Sequence, residues 1–152
     1  NRAIAGAKTN TIADSARSEV DIRALPGTGR EDVDVYLHKA MGTASDHIEL
    51  EPIMDFEANF SKRPSPLWEV IADSVEEIEG HRRLVPAMMT VTTDARFWRA
   101  KGTVAYGVGL YDDRMDFSEM LALFHGNDER VSLASVEKTS RLYETILARF
   151  GR

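Results

Sequence analysis

Residues 62–78 read KRPSPLWEVIADSVEEI, and this stretch divides the chain into two parts with different patterns. Pro64 and Pro66 interrupt regular structure, because proline lacks a backbone N–H and restricts the residue before it. Apolar residues then recur at the spacing of an amphipathic helix, namely Leu67, Ile71, Val75 and Ile78. We therefore expect a domain boundary here, with one domain over residues 1–62 and a second over residues 66–152.

Before this boundary, the pattern predicts a strand, a helix and a second strand. Polar and apolar residues alternate over residues 18–25 and again over residues 48–60, which is typical of half-buried strands. Between them, acidic residues follow a Pro-Gly-Thr-Gly turn and Gly42 suits a helix C-terminus, so we expect a helix there. Pro52 indicates an edge position or an irregularity in the second strand. An antiparallel sheet is the expected result.

After the boundary, the pattern predicts helices and strands in alternation. Residues 84–91 and 104–111 are the expected strands, and a short helix over residues 95–100 separates them. Asp116 is expected to cap a turn, and Ser135 a long helix. The apolar residues of that long helix are expected to point inward: Val136, Thr139, Tyr143, Ile146, Leu147 and Phe150. This order suggests an α/β layer with a mostly parallel sheet.

Composition excludes several classes of protein. The 152 residues are 43% hydrophobic and 29% charged, as in ordinary globular proteins, and no apolar stretch suggests a membrane span. The net charge of -6 argues against a nucleic-acid partner. Cysteine is absent, which excludes disulfides, thiolate metal sites and cysteine nucleophiles.

The first residues lack a signal-peptide pattern, so we expect a cytoplasmic protein. Because the chain does not begin with Met, we expect a piece of a larger protein or a processed product.

Three side chains are candidates for chemistry. His125 begins a polar loop after an apolar segment, although a surface role remains open for it. Asp94 follows a predicted strand, at the end where open α/β sheets gather active-site residues; the alternative is that it caps the next helix. Arg23 could bind a carboxylate with both arms of its guanidinium, or it could form a cross-strand ion pair with a glutamate.

Four segments of the chain, taken in order, resemble motifs of the M20 zinc metallopeptidases. The segments at residues 8–12 (KTNTI) and 18–26 (SEVDIRALP) are similar to the family's Asn-x-Ile-Pro segment and Val-Asp-Ile-Arg strand. The segments at residues 93–97 (TDARF) and 125–129 (HGNDE) are similar to its Gly-Thr-Asp-Ala-Arg turn and His-Gly-x-Asn-Glu loop. The family includes aminoacylases, desuccinylases, deacetylases and carboxypeptidases.

The resemblance implies a fold in two parts. Members of the family have a catalytic α/β domain interrupted by a smaller lid, or dimerisation, domain of ferredoxin-like α+β form. Residues 1–62 would be the second half of the lid, and residues 66–152 the C-terminal part of the catalytic α/β domain. A homodimer formed through the lid is the expected assembly.

The resemblance also implies roles for individual residues. His125 would be a zinc ligand, with cobalt or manganese as possible substitutes for zinc. Arg23 would bind the terminal carboxylate of the substrate, and Asn10 would hydrogen-bond near the scissile carbonyl. Thr93 and Asp94 would line the substrate pocket. The implied substrates are N-acyl amino acids or small peptides, and the implied reaction is metal-assisted hydrolysis of an amide.

The family's other metal ligands and its glutamate base have no counterpart in this sequence. We therefore expect the chain alone neither to bind zinc tightly nor to hydrolyse amides, because catalytic zinc usually takes three protein ligands. The rest of the site would come from the remainder of the enzyme or from a partner subunit. An alternative is a non-catalytic dimerisation module with relic site residues, which pairs through the strand at residues 48–60. A second alternative is an unrelated α/β domain.

Overall fold

The computed structural model describes residues 2–6 and 8–150. The chain divides into two compact units, Asn1–Asn59 and Phe60–Arg152. The regular structure of the described part consists of helices and one small sheet, so the protein is of mixed helix-and-sheet type. The assignment of the two units to a lid and to a catalytic domain stays a prediction.

The first unit contains a two-stranded antiparallel sheet. Strand β1 (Arg2–Ala5) pairs with strand β2 (Ala16–Glu19), so that Arg2 lies opposite Glu19. The strand predicted over residues 18–25 is therefore wrong in most of its length, since β2 ends at Glu19. A strand requires hydrogen bonds from a neighbouring strand, and β1 offers only four residues for pairing.

The predicted helix of the first unit is confirmed. Helix α1 (Arg30–Met41) begins where the Asp32 carboxylate accepts a hydrogen bond of 2.9 Å from the Gly29 N–H. It ends at Gly42, whose φ of 57° lies in the left-handed region that glycine adopts without strain. A 3₁₀ helix follows directly (Gly42–His47). Three predicted core positions are half-buried on α1: Val33, Leu37 and Met41.

The alternating segment at residues 48–60 does not form a strand in the described part of the chain. The polar–apolar alternation is present in the sequence, yet Met54 and Phe56 are both exposed. Alternation specifies which side chains share a face, whereas a strand also needs a partner for its backbone. The predicted antiparallel sheet over this segment is accordingly not observed.

The second unit is helical. Helix α2 (Pro66–Glu79) begins at Ser65, whose hydroxyl accepts a hydrogen bond of 3.1 Å from the Trp68 N–H. Helix α3 (Ala95–Ala100) and helix α4 (Phe117–Leu123) follow. At the start of α4, the Asp116 carboxylate accepts from the Ser118 N–H at 2.8 Å. Helix α5 (Leu133–Phe150) is the longest. Helices α2, α3 and α5 were predicted from the sequence, whereas only a turn capped by Asp116 was expected where α4 lies.

The hydrophobic core lies between α2 and α5. Its buried members are Ile71, Val75, Leu142 and Ile146. The segment at residues 104–111 covers this core with alternate side chains, those of Tyr106, Val108 and Leu110. The alternation of a strand is thus present, but neither this segment nor residues 84–91 belong to a sheet among the described residues. Neither segment pairs with another strand among the described residues, so the expected parallel sheet is not observed.

Helix α5 differs from its prediction in its start and in its buried face. The Ser132 hydroxyl, not that of Ser135, accepts a hydrogen bond from the first turn, 3.0 Å from the Ser135 N–H. Of the residues expected to point inward, only Ile146 is buried, and Leu142 is buried although it was not expected. Four of the expected residues are exposed: Val136, Tyr143, Leu147 and Phe150.

None of the helices within residues 2–6 and 8–150 combines the length and the apolar character required to cross a membrane.

Candidate functional site

The Thr93-Asp94 turn leads directly into α3. The carbonyl oxygen of Thr93 accepts a hydrogen bond from the Arg96 N–H at 3.2 Å, and that of Asp94 from the Phe97 N–H at 3.0 Å. The backbone of the turn therefore starts the helix. The Asp94 carboxylate makes no capping hydrogen bond to α3. The simpler interpretation of Asp94, as a helix cap, is thus wrong for its side chain, which is left exposed to solvent.

An open hollow of about 330 Å³ lies beside Asp94. Its other lining residues are Phe97, Trp98 and Lys101. The four residues follow the i, i+3, i+4, i+7 spacing of one helix face, which brings a carboxylate, two aromatic rings and an ammonium group to one surface. Neither Thr93 nor His125 lines this hollow.

His125 lies on an exposed turn after α4. Its φ of 57° is in the left-handed region, which non-glycine residues occupy uncommonly, although histidine is enriched there. The following N–H, that of Gly126, donates to the Leu123 carbonyl at 3.0 Å and closes the turn. The imidazole ring makes no hydrogen bond to any residue in the described part of the chain and is exposed to solvent.

The turn around His125 depends on the glycine that follows it. A Cβ atom at Gly126 would lie 2.8 Å from the Ala122 carbonyl oxygen, which is closer than real Cβ contacts come. A second non-glycine residue, Asp128, has a φ of 61° in the same loop. The loop predicted over residues 125–129 therefore holds its histidine at a tight, exposed bend.

The two candidates of the first unit are both exposed. The Arg23 guanidinium donates to the Asp21 Oδ2 atom from Nε at 3.0 Å and from Nη2 at 2.6 Å. The predicted alternative, a cross-strand pair with a glutamate, is not observed for Arg23, because its partner is two residues away on the same segment. Asn10 lies in a turn in which the Thr11 N–H donates to the Lys8 carbonyl at 3.3 Å. The roles of both residues stay predictions.

The described residues contain no group of three or more His, Asp or Glu side chains placed to hold a metal ion together. A catalytic zinc ion usually takes three protein ligands. His125 alone therefore does not make a metal centre, and any zinc bound there would need donors that residues 2–6 and 8–150 do not supply.

Two ionisable side chains with shifted pKa values, Asp112 and Lys138, lie near the start of α5. Hydrogen bonds from the Arg114 side chain and backbone, at 2.7–3.1 Å, hold the pKa of Asp112 well below its usual range. Hydrogen bonds to Asp113 and Glu79 raise the pKa of Lys138. The Asp112 N–H also donates to the buried Ser135 hydroxyl at 2.9 Å. These contacts join the segment after residue 111 to α2 and α5, so we assign them a structural role.

Sequence reasoning identified Asp94 but missed the other three residues of the hollow. Their spacing from Asp94 is the signal that would have found them, because positions 94, 97, 98 and 101 share one face of any helix that starts at Asp94. The short length of α3 hid this signal, since six residues show little periodicity.

The chain is similar to part of a known hydrolase. It is 26% identical over 148 residues to succinyl-diaminopimelate desuccinylase of Caulobacter sp. (strain K31). The match covers 93% of this chain but only 35% of the relative, so the chain spans about a third of the relative's length. No family model matches the chain, and no solved structure matches it. The similarity supports a distant relationship to M20 enzymes and, more broadly, to hydrolases.

Proposed function

We propose that the chain is the C-terminal part of a metal-dependent amidohydrolase or peptidase of the M20 type, which cleaves N-acyl amino acids or small peptides. The similarity to a desuccinylase over 93% of the chain carries this proposal. A match of this length necessarily extends through both units, whereas a chance match to one motif would be local.

The exposed candidate residues are accessible to a substrate or to a metal ion. The Asp94 carboxylate makes no helix cap, so it can contact a ligand without cost to α3. The His125 ring is exposed, so a metal ion held by other donors can reach it. The Arg23 guanidinium is exposed and donates from Nε and Nη2 to a single oxygen, Oδ2 of Asp21, so a substrate carboxylate would compete with this local ion pair.

In this proposal the chain alone is inactive. Metal-assisted hydrolysis of an amide would require a full set of metal ligands and a base, and this chain would contribute one ligand, His125. Its own residues would bind and orient the substrate through Arg23, Asn10, Thr93 and Asp94.

The reading frame upstream of residue 1 provides the first test. We expect the frame to continue and to encode a His-x-Asp segment and a Glu-Glu pair. A coding sequence that starts at residue 1 would contradict the proposal.

The second test uses the longer protein, with N-succinyl and N-acetyl amino acids as substrates. His125→Ala should lower the zinc content per chain and reduce kcat/KM by about 100-fold or more, because loss of even an indirect metal partner costs about 10- to 100-fold. His38→Ala is the matched control and should change neither quantity, since His38 is exposed and its ring forms a hydrogen bond with the Asp34 carbonyl of its own helix. Equal zinc content and activity in the two variants would remove the ligand assignment.

One observation favours a second candidate function, that of a non-catalytic dimerisation module. No side chain described in residues 2–6 and 8–59 is fully buried, and large apolar residues such as Ile53, Met54 and Phe56 are exposed there. A surface of this kind is typical of an interaction site. Stable dimers that persist when residues 60–152 are altered, together with a reading frame that starts at residue 1, would favour this function.

A further inference from the structure

Residues 104–111 run over the α2–α5 core with the backbone arrangement of a β-strand. In an extended chain, the N–H and C=O groups of one residue point to the same edge, and those of the next residue point to the opposite edge. Both groups of Leu110 bond the Thr139 hydroxyl, at 3.0 and 2.9 Å. Both groups of Ala105 bond the Ser61 hydroxyl, at 3.0 and 3.1 Å. We call the edge of the even-numbered residues the closed edge and that of the odd-numbered residues the open edge.

Side chains of α5 occupy the closed edge. Besides Thr139, the Tyr143 hydroxyl contributes by donating to the Val108 carbonyl at 3.1 Å. The Ser135 hydroxyl accepts from the Asp112 N–H at 2.9 Å. Helix hydroxyls thus take the place of a neighbouring strand, and this edge is not available for pairing.

The open edge is satisfied only at Ala105. There the Arg99 guanidinium donates to the carbonyl at 2.7 and 3.0 Å, in addition to the contact with Ser61. Beyond Ala105, the backbone groups of Gly107, Gly109 and Tyr111 make no hydrogen bond within the described part of the chain. These residues span five positions, which is the length of an ordinary short strand.

The chain also exposes more surface than self-contained folds of its size. Its solvent-accessible surface is 12600 Å². Two separate globular proteins with the lengths of the two units would together expose about 9,300 Å². The excess of roughly 3,300 Å² is larger than the area of about 2,500 Å² that one subunit contributes to a large obligate dimer. An excess of this size favours further chain of the same fold, rather than a second copy, as the main cover of the exposed surface.

We propose that a strand from the polypeptide upstream of residue 1 pairs with the open edge at Gly107, Gly109 and Tyr111. In the proposed function, on which this pairing rests, the chain is the C-terminal part of a longer protein, and it spans about a third of the length of the relative that it matches. An unpaired strand edge is a template for another strand, and a strand of the same polypeptide is always present at high local concentration.

The covered face of the segment indicates the chemistry of the incoming strand. Tyr106, Val108 and Leu110 pack on the α2–α5 core from this face. A neighbouring strand continues the same face, so its alternate side chains should be apolar and should extend the core. Residues 104–111 contain no charged side chain, so the incoming strand meets none. We therefore expect an uncharged run of about five residues, rich in Val, Ile and Leu.

Amide hydrogen exchange in the longer protein, resolved by residue with NMR, tests the pairing. The N–H groups of Gly107, Gly109 and Tyr111 should exchange at least about 100-fold more slowly than in an unstructured peptide, because ladder hydrogen bonds must open first. The Val108 N–H is the internal control. It points to the closed edge and makes no hydrogen bond among the described residues, so it should exchange faster than the N–H groups on either side of it.

Gly107→Pro in the longer protein removes one of the pairing N–H groups. Exchange at Gly109 and Tyr111 should become about 5-fold faster or more, because each lost ladder hydrogen bond weakens its neighbours. The Leu110 N–H should stay slow, since its bond to Thr139 lies on the closed edge. Gly107→Ala keeps the N–H and places its Cβ atom in open space, so it should leave these rates unchanged.

Three results would overturn the pairing. They are fast exchange at the open edge, equal rates at Gly107, Val108 and Gly109, which would indicate cover without a strand, and slow exchange that depends on protein concentration, which would indicate a second copy. The test is separate from that of the metal site. Zinc content and activity that do not change in His125→Ala would leave the expected exchange pattern intact, whereas fast exchange in an enzyme that requires His125 would overturn the pairing alone. A coding sequence that starts at residue 1 would overturn both.

Discussion

Single residues set the geometry of the exposed turn that bears His125. The close approach of the Ala122 carbonyl to position 126 leaves no room for a side chain, and the preceding residue already has a positive φ. The glycine at position 126 is therefore required by the backbone, whatever the preceding histidine binds. A substitution at Gly126 would shift the backbone and so move the His125 ring as well. The function of His125 is therefore tested by substituting His125 itself.

We predict that Gly126→Ala lowers the free energy of unfolding by more than about 1 kcal/mol, because the backbone must shift to accept the new Cβ atom. Urea denaturation measures this quantity. Gly107→Ala is the control, and it should be neutral within about 0.5 kcal/mol, since nothing lies within 4 Å of the added atom. Equal stability of the two variants would show that the turn adapts freely.

A second residue-scale prediction concerns acid stability. Hydrogen bonds from Arg114 hold the pKa of Asp112 below its usual range. A carboxyl group with a lowered folded-state pKa stabilises the protein above its unfolded pKa of about 3.9, and this contribution is lost as the pH falls towards the folded value. The unaltered chain should therefore lose stability between pH 6 and pH 3.

Asp112→Asn should reduce this loss, because the amide does not titrate. Urea denaturation at pH 6 and at pH 3 provides the comparison. Glu144→Gln serves as the control, since Glu144 is an exposed carboxylate of α5, and it should leave the pH dependence close to that of the unaltered chain. Identical pH profiles for Asp112→Asn and the unaltered chain would contradict the structural role of Asp112.

At the scale of elements, three helices of the second unit begin at a side chain that accepts a hydrogen bond from their first turn. Ser65 caps α2 and its hydroxyl also lies 2.8 Å from the Tyr106 hydroxyl, so one side chain starts a helix and contacts the segment that covers the core. Asp116 and Ser132 start α4 and α5 in the same way. These signals operate over three residues, which explains why the helix positions were predictable.

We predict that Ser65→Ala lowers the free energy of unfolding by about 1 kcal/mol, the usual cost of removing an N-cap. Ser65→Asp keeps an acceptor for the Trp68 N–H and should lose less. Thermal unfolding followed by circular dichroism at 222 nm compares the two. A larger loss for Ser65→Asp than for Ser65→Ala would indicate that the contact with Tyr106 matters more than the cap.

At the scale of the whole molecule, the second unit depends on one helix pair. Leu142 is fully buried between α2 and α5, whereas Leu147, five residues further along α5, is 71% exposed. The same residue type on two faces of one helix allows a direct comparison of packing at constant helix propensity.

Leu142→Ala should lower the free energy of unfolding by about 2–5 kcal/mol, because it removes buried methyl groups and leaves a cavity. Leu147→Ala should change it by less than about 0.5 kcal/mol in the monomer. Chemical denaturation at low protein concentration measures both. A substantial loss for Leu147→Ala would mean that this exposed face is covered in solution.

The sequence by itself determined the helices. Their starts and ends depend on neighbouring residues, such as the Asp32 carboxylate at α1 and Ser65 at α2, and their hydrogen bonds close within four residues. The distant similarity to a hydrolase is likewise a property of the sequence. The turns that bear Asp94 and His125 were predictable for the same local reason.

Only the tertiary structure decided the state of the predicted strands and of the apolar helix faces. Residues 48–60 and 104–111 have strand-like alternation, but a strand also needs a distant backbone partner that alternation does not specify. On α5 the sequence offers two apolar faces, and contact with α2 buried Leu142 rather than Leu147. Non-local pairing and packing are properties of the assembled chain, so no local pattern contains them.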